Sequence, residues 1–92
     1  MGDKKFSYED LKQKLENDFQ WPLVYMFKFI VPSDNKKIAK VEALFGGEAQ
    51  VTIRQSSSNK FSSITAKEVM TSADEVIAVY KKAETIEGII SL

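Results

Sequence analysis

Histidine and cysteine are both absent from the 92 residues. That removes the usual general base near neutral pH, the thiol nucleophile, thiolate zinc sites and disulfides in one step. Nine serines remain as nucleophile candidates, with Lys28 or Lys67 near Ser63 as the one conceivable serine–lysine pairing. Caps, a loop and a strand face account for those serines more simply, because a serine without an oriented base is a weak nucleophile. The carboxylates tell a similar story. Asp34, Glu42, Glu48, Asp74 and Glu75 fall at helix starts or on polar faces, where the helix dipole explains acidic residues at the starts. Glu68 stands apart: strict alternation would turn this carboxylate inward beside Lys67, but an exposed place at a bulge is the favoured reading. No ligand spacing of the zinc or calcium type occurs, so no metal or other cofactor is expected. Gly46-Gly47 is too short for a phosphate cradle and follows its helix rather than preceding it. The expectation is a protein without catalysis.

What can do chemistry is an open sheet face carrying Met26, Lys28 and Ile30, Thr52 and Arg54, and Phe61, Ser63, Thr65 and Lys67, with Lys28, Arg54, Phe61, Ser63 and Thr65 as its binding candidates. Such a mixture suits a small anionic metabolite or a partner surface. Lys28 lies between Phe27 and Phe29, where strand propensity disfavours it. A lysine there either binds an anion or keeps a bare sheet face from sticking to another. RNA is the competing ligand, since aromatics on central strands can stack bases. Thirteen basic against thirteen acidic residues give no net charge, and Arg54 is the only arginine, so general phosphate attraction is lacking. Nucleic acid is therefore disfavoured.

The elements that must position these residues follow from periodicity. Ser7 caps a helix to Phe19, with Tyr8, Leu11, Leu15 and Phe19 on one stripe. Leu23 to Val31 is a strand alternating Leu23, Tyr25, Phe27, Phe29 and Val31 against Val24, Met26, Lys28 and Ile30. Being largely apolar on both faces, it reads as central. Ser33 or Asp34 caps a second helix to Phe45, with Ile38, Val41, Leu44 and Phe45 inward, stopped by Gly46-Gly47. Ala49 to Gln55 is a half-buried strand. A Ser56-to-Lys60 loop joins it to Phe61–Met70, where a bulge or strand end near Glu68 would return Val69 to the core. Ser72 and Glu75 form a capping box opening a third helix with Val76, Val79, Tyr80 and Ala83 inward. Gly88 to Leu92 reads as a last short strand.

The order α-βαββαβ specifies an α+β, ferredoxin-like split βαβ sandwich with sheet order 4-1-3-2 and helices on one face. Residues 1–92 form one domain, with 7–19 as an N-terminal helical extension. Tyr25, Phe27, Phe29, Leu44, Val51, Ile53, Ile64, Val76 and Tyr80 are the expected core. The other sheet face is left for solvent or a partner, and a homodimer could form through a sheet edge or through that face. The start Met1-Gly2-Asp3-Lys4-Lys5 lacks the apolar run of a signal peptide, and the myristoylation-like Gly2 is followed by Phe6 where Ser or Thr is needed. The nine-residue apolar stretch is too short to span a bilayer. A soluble cytoplasmic protein without membrane contact is expected.

Trp21-Pro22-Leu23-Val24-Tyr25-Met26-Phe27-Lys28-Phe29-Ile30, then Phe61-Ser62-Ser63-Ile64-Thr65-Ala66 and Thr71-Ser72, resembles the YbeD-like family of short bacterial proteins of unassigned activity. With Leu11, Leu15-Glu16 and Phe19, the resemblance covers about Leu11 to Leu92. It implies a ferredoxin-like sheet related in architecture to the effector-binding ACT domains of amino-acid metabolism. The pattern maps onto Lys28, Ser57, Phe61, Ser63 and Thr65. Three departures stand out. Asn59-Lys60 replaces a frequent glycine, Glu68 takes a usually apolar position, and Pro32-Ser33-Asp34-Asn35 lacks the effector-loop glycine of ACT domains. The resemblance thus implies a regulatory or binding module, with a partner-protein adaptor and an RNA-binding sheet as alternatives.

Overall fold

In the computed structural model, residues 7–92 are described; the expectations about Met1 to Phe6 lie outside them. The chain runs α1 (Tyr8–Asp18), β1 (Leu23–Pro32), α2 (Asn35–Glu42), β2 (Gln50–Gln55), β3 (Phe61–Met70), α3 (Ala73–Ala83) and β4 (Ile90–Ser91). The four strands form one antiparallel sheet in the order β2-β3-β1-β4. This is the ferredoxin-like order expected, with β1 and β3 central.

The helix starts are capped as their residue types require. Ser7 Oγ accepts from Asp10 N at 3.3 Å, and Asp34 Oδ1 accepts from Lys36 N at 2.8 Å. Ser72 Oγ accepts from Glu75 N at 3.2 Å, while Glu75 Oε1 reaches back to Thr71 N at 2.7 Å. Helix α2 ends at Glu42 rather than Phe45. Leu44 N and Phe45 N then bond the carbonyls of Val41 and Glu42, so the chain turns tightly and still directs both side chains at the core.

Phe27, Phe29, Val31, Val41, Ile64, Ala66 and Val76 are fully buried between helices and sheet. The rings of Phe27, Phe29, Phe45 and Tyr80 meet with centroids 5.3–6.4 Å apart. Ile77 and Ile86 join this core although the helical stripe read from sequence omitted them. Ile53, expected inside, is 40% exposed. It points to the helix side, but β2 is the edge strand and too little of the helical layer reaches over it.

Helix α1 packs across α3. Leu15 is buried, Lys12 Nζ lies 3.1 Å from Asp74 Oδ1, and Tyr8 Oη donates to Glu84 Oε2 at 2.6 Å.

No bulge forms at Lys67-Glu68-Val69. The β1–β3 register runs unbroken from Leu23 opposite Met70 to Pro32 opposite Phe61. Val69 consequently faces outward opposite Val24 and is 58% exposed, which corrects the expectation that it would return to the core. Nor is Glu68 the exposed bulge residue expected: with the ladder unbroken it keeps its inward parity, half-buried, and its Oε2 accepts from Gly46 N at 3.0 Å. A carboxylate is tolerated there because it satisfies a backbone donor left free after α2. A Cβ at Gly46 would approach Glu68 Oε2 to 2.9 Å, so a larger residue there would displace the flexible end of Glu68 from this contact. Asn59 adopts φ 60°, the left-handed region, which asparagine tolerates better than most non-glycine residues.

Candidate functional site

The outer face of the sheet is uncovered, and the register dictates what stands on it. Three rows cross the strands. Lys28 of β1 lies opposite Thr65 of β3, which lies opposite Thr52 of β2. Ile30, Ser63 and Arg54 form the row on one side, and Met26, Lys67 and Gln50 the row on the other. Adjacent strands are about 4.8 Å apart, so the side chains of each row touch or nearly touch. Lys28 and Lys67 are diagonal neighbours across β1 and β3. Arg54 stands diagonally from Thr65 on the other flank. Three cations thus surround a hydroxyl trio of Thr52, Ser63 and Thr65.

These residues line a shallow depression of about 380 Å³, together with Met26. No Asp or Glu occupies an outward position on any of the four strands. Among the described residues, Lys28, Arg54 and Lys67 make no salt bridge. A chain with no net charge therefore concentrates three positive charges on one face. Apolar side chains bound the depression at both ends: Val24 and Val69 beyond Met26, and Phe61, Ile30 and Ile90 on the opposite side.

Of the residues singled out from sequence, Lys28, Arg54, Ser63 and Thr65 come together in this depression. Phe61 shares the face, 45% exposed, but sits at the strand start opposite Pro32 and outside the depression. Ser57 is not brought to the group. It lies exposed in the β2–β3 turn, a turn closed by bonds of Ser56 with Phe61 and with Asn59. Lys67 and Thr52, expected on this open face though not among the binding candidates, complete the site. The period-2 parity of β2 and β3 places both on that face.

The pattern of the family described as protein of unknown function (DUF493) matches residues 16–92. The chain belongs to this family. It includes the YbeD-like small proteins, so the resemblance read from Trp21–Ile30 and Phe61–Ala66 holds over residues 16–92. No curated protein and no solved structure matches it. Among the described residues, no helix is long and apolar enough to cross a membrane, and no group of three or more Asp or Glu is placed to hold a metal ion.

Proposed function

We propose that this DUF493 protein is a non-enzymatic binding module whose open sheet face takes a small anionic metabolite in the manner of a regulatory, ACT-like domain. One observation carries the reading: Lys28, Arg54 and Lys67 flank Thr52, Ser63 and Thr65 with no carboxylate side chain on the same face. Cations on a sheet repel one another, and removing a carboxylate counter-charge from the whole face makes that worse. An anion bearing several oxygens relieves the repulsion and accepts from the hydroxyls at the same time. Guanidinium and ammonium groups divide the task. Arg54 offers a planar pair of donors to a carboxylate or phosphate, and the two lysines act as mobile point charges. The apolar borders lower the local dielectric and give a short hydrocarbon body something to rest on. The absence of His and Cys from the chain supports binding rather than catalysis.

RNA is the second reading, favoured by the exposed Phe61 ring on the same face as the three cations. A single ring supports little stacking, which places it behind the metabolite.

A thermal-shift screen of di- and tricarboxylates, phosphorylated metabolites and a short single-stranded RNA tests both readings. A native-state ligand at 100 times its Kd adds about 2.7 kcal/mol of stability. Stabilisation by a small anion that disappears in Lys28→Met supports the metabolite reading. Shifts from neutral compounds only, or anion shifts that survive Lys28→Met and Arg54→Met, would sink it. Retention on RNA that falls steeply with added salt would favour the second reading.

A further inference from the structure

A second cavity, of about 700 Å³, opens on the helix side of the sheet between α1, α3 and β4. Its origin is the brevity of β4. That strand covers β1 only around Phe29 and Ile30, with Leu92 N reaching Lys28 O at 2.9 Å, whereas β1 continues back to Leu23. Among the described residues, no strand flanks this edge of β1 toward Leu23, and the side chain of Tyr25 looks into the gap. Its volume is that of a small-molecule pocket.

The lining has a definite chemical character. Leu11, Ile86 and Ile89 supply apolar walls, and the Tyr25 and Tyr80 rings stand edge to face with centroids 6.5 Å apart. Their hydroxyl oxygens are 3.3 Å apart and share a hydrogen bond, and each hydroxyl retains acceptor capacity beyond that bond. Burial, then the bond with Tyr25, pushes the Tyr80 hydroxyl above its ordinary pKa and keeps it neutral. Among the described residues, Glu84 and Glu87 are the only ionisable side chains lining the cavity apart from tyrosines, and no Lys or Arg lines it. Ring faces and carboxylates both attract positive charge. The protein itself already uses this chemistry at the rim, where Lys81 Nζ stands 5.5 Å above the Tyr8 ring.

We propose that this cavity binds an organic cation, an amine carried on a small apolar or aromatic body. The ammonium sits between the Glu84 and Glu87 carboxylates, with the Tyr25–Tyr80 hydroxyls as further acceptors. The hydrocarbon part lies against Leu11, Ile86 and Ile89. The site is chemically opposite to the outer face of the sheet and independent of it.

The test uses three probes of one shape: phenethylamine, phenylethanol and phenylacetate, cationic, neutral and anionic in turn. Each is titrated into the full chain while the amide NMR signals of Gly88, Ile89 and Ser91 are followed. Phenethylamine is expected to shift these signals saturably, phenylethanol to bind about tenfold more weakly or less, and phenylacetate to leave them in place. The double change Glu84→Gln with Glu87→Gln should weaken phenethylamine by about tenfold, because an amide in place of the Glu84 carboxylate keeps an acceptor for Tyr8 but carries no charge. Lys28→Met should leave it untouched. Equal binding of the three probes, or no saturable shift with phenethylamine, overturns the proposal. The probe series on the unaltered chain decides the matter even where the double variant loses its fold.

Discussion

The two faces of β1 differ by one residue of phase and by almost everything else. Phe27, Phe29 and Val31 are fully buried under the helices, whereas Val24 and Met26 are more than half exposed and Lys28 points to solvent beside them. The inward set is held by ring contacts and by exclusion of water, and it tolerates no loss of volume. The outward set makes no such contacts, so its residue types are free to answer to something other than packing. Stability and the proposed anion binding therefore fall on alternate residues of the same strand. A substitution on one phase should leave the other property nearly intact.

The strongest way to break that separation is at the buried ring. Phe27→Ala should cost about 3–5 kcal/mol, seen as a large fall in the urea midpoint. A small loss would mean that the core collapses around the cavity and that the inward phase is less demanding than its burial implies. Next comes the one buried polar side chain of the inward phase on β3. Ser62 is fully buried and its Oγ lies 2.9 Å from Ser33 Oγ. Ser62→Ala should cost about 1 kcal/mol by leaving Ser33 without its partner, and Ser62→Val should cost more through overpacking.

A pH titration sharpens the comparison further. Burial, and then the hydrogen bond to Glu84, pushes the Tyr8 hydroxyl up to about 12, and Tyr80 is raised as well, chiefly by burial. Both groups are neutral in the folded chain and ionise more readily when it unfolds. The stability they support is complete below about pH 10, the ordinary value for tyrosine, and is lost as pH rises from there through the folded values. Urea midpoints should thus be flat from neutrality to about pH 9 and fall above about pH 10, and Tyr80→Phe should flatten that fall. An unchanged slope in the variant would assign the alkaline loss elsewhere. The smallest effect on stability belongs to the outward phase. Lys28→Met should alter the urea midpoint by less than about 1 kcal/mol equivalent while removing anion binding. Retained binding together with self-association would show that Lys28 serves only to keep the face from sticking.

Periodicity, caps and turn residues determined the element order, the sheet order and the identity of the central strands. They are local signals, and each is decided within a few residues. The burial of Phe27, Phe29, Ile64 and Val76 followed because a central strand and an amphipathic helix leave those side chains no other place. Lys28, Arg54, Ser63 and Thr65 could be assigned to one face from parity alone. Their assembly with Lys67 and Thr52 into rows needed the register, which long-range backbone pairing sets and no local pattern encodes. Register also overruled the bulge expected near Glu68. An unbroken ladder with Val24 opposite Val69 keeps every backbone bond, and the Gly46 N–H gives the inward carboxylate a partner that lies 22 positions away in the chain. Ile53 departs from its expected burial for a related reason. Alternation tells which side a residue faces but not whether a helix lies over it, and at an edge strand that depends on how far the helical layer extends. The cavity beneath α1 was invisible for the same reason: Tyr8, Tyr25, Tyr80 and Glu84 are dispersed along the sequence, and only the docking of α1 on α3 beside a strand as short as β4 brings them to one wall.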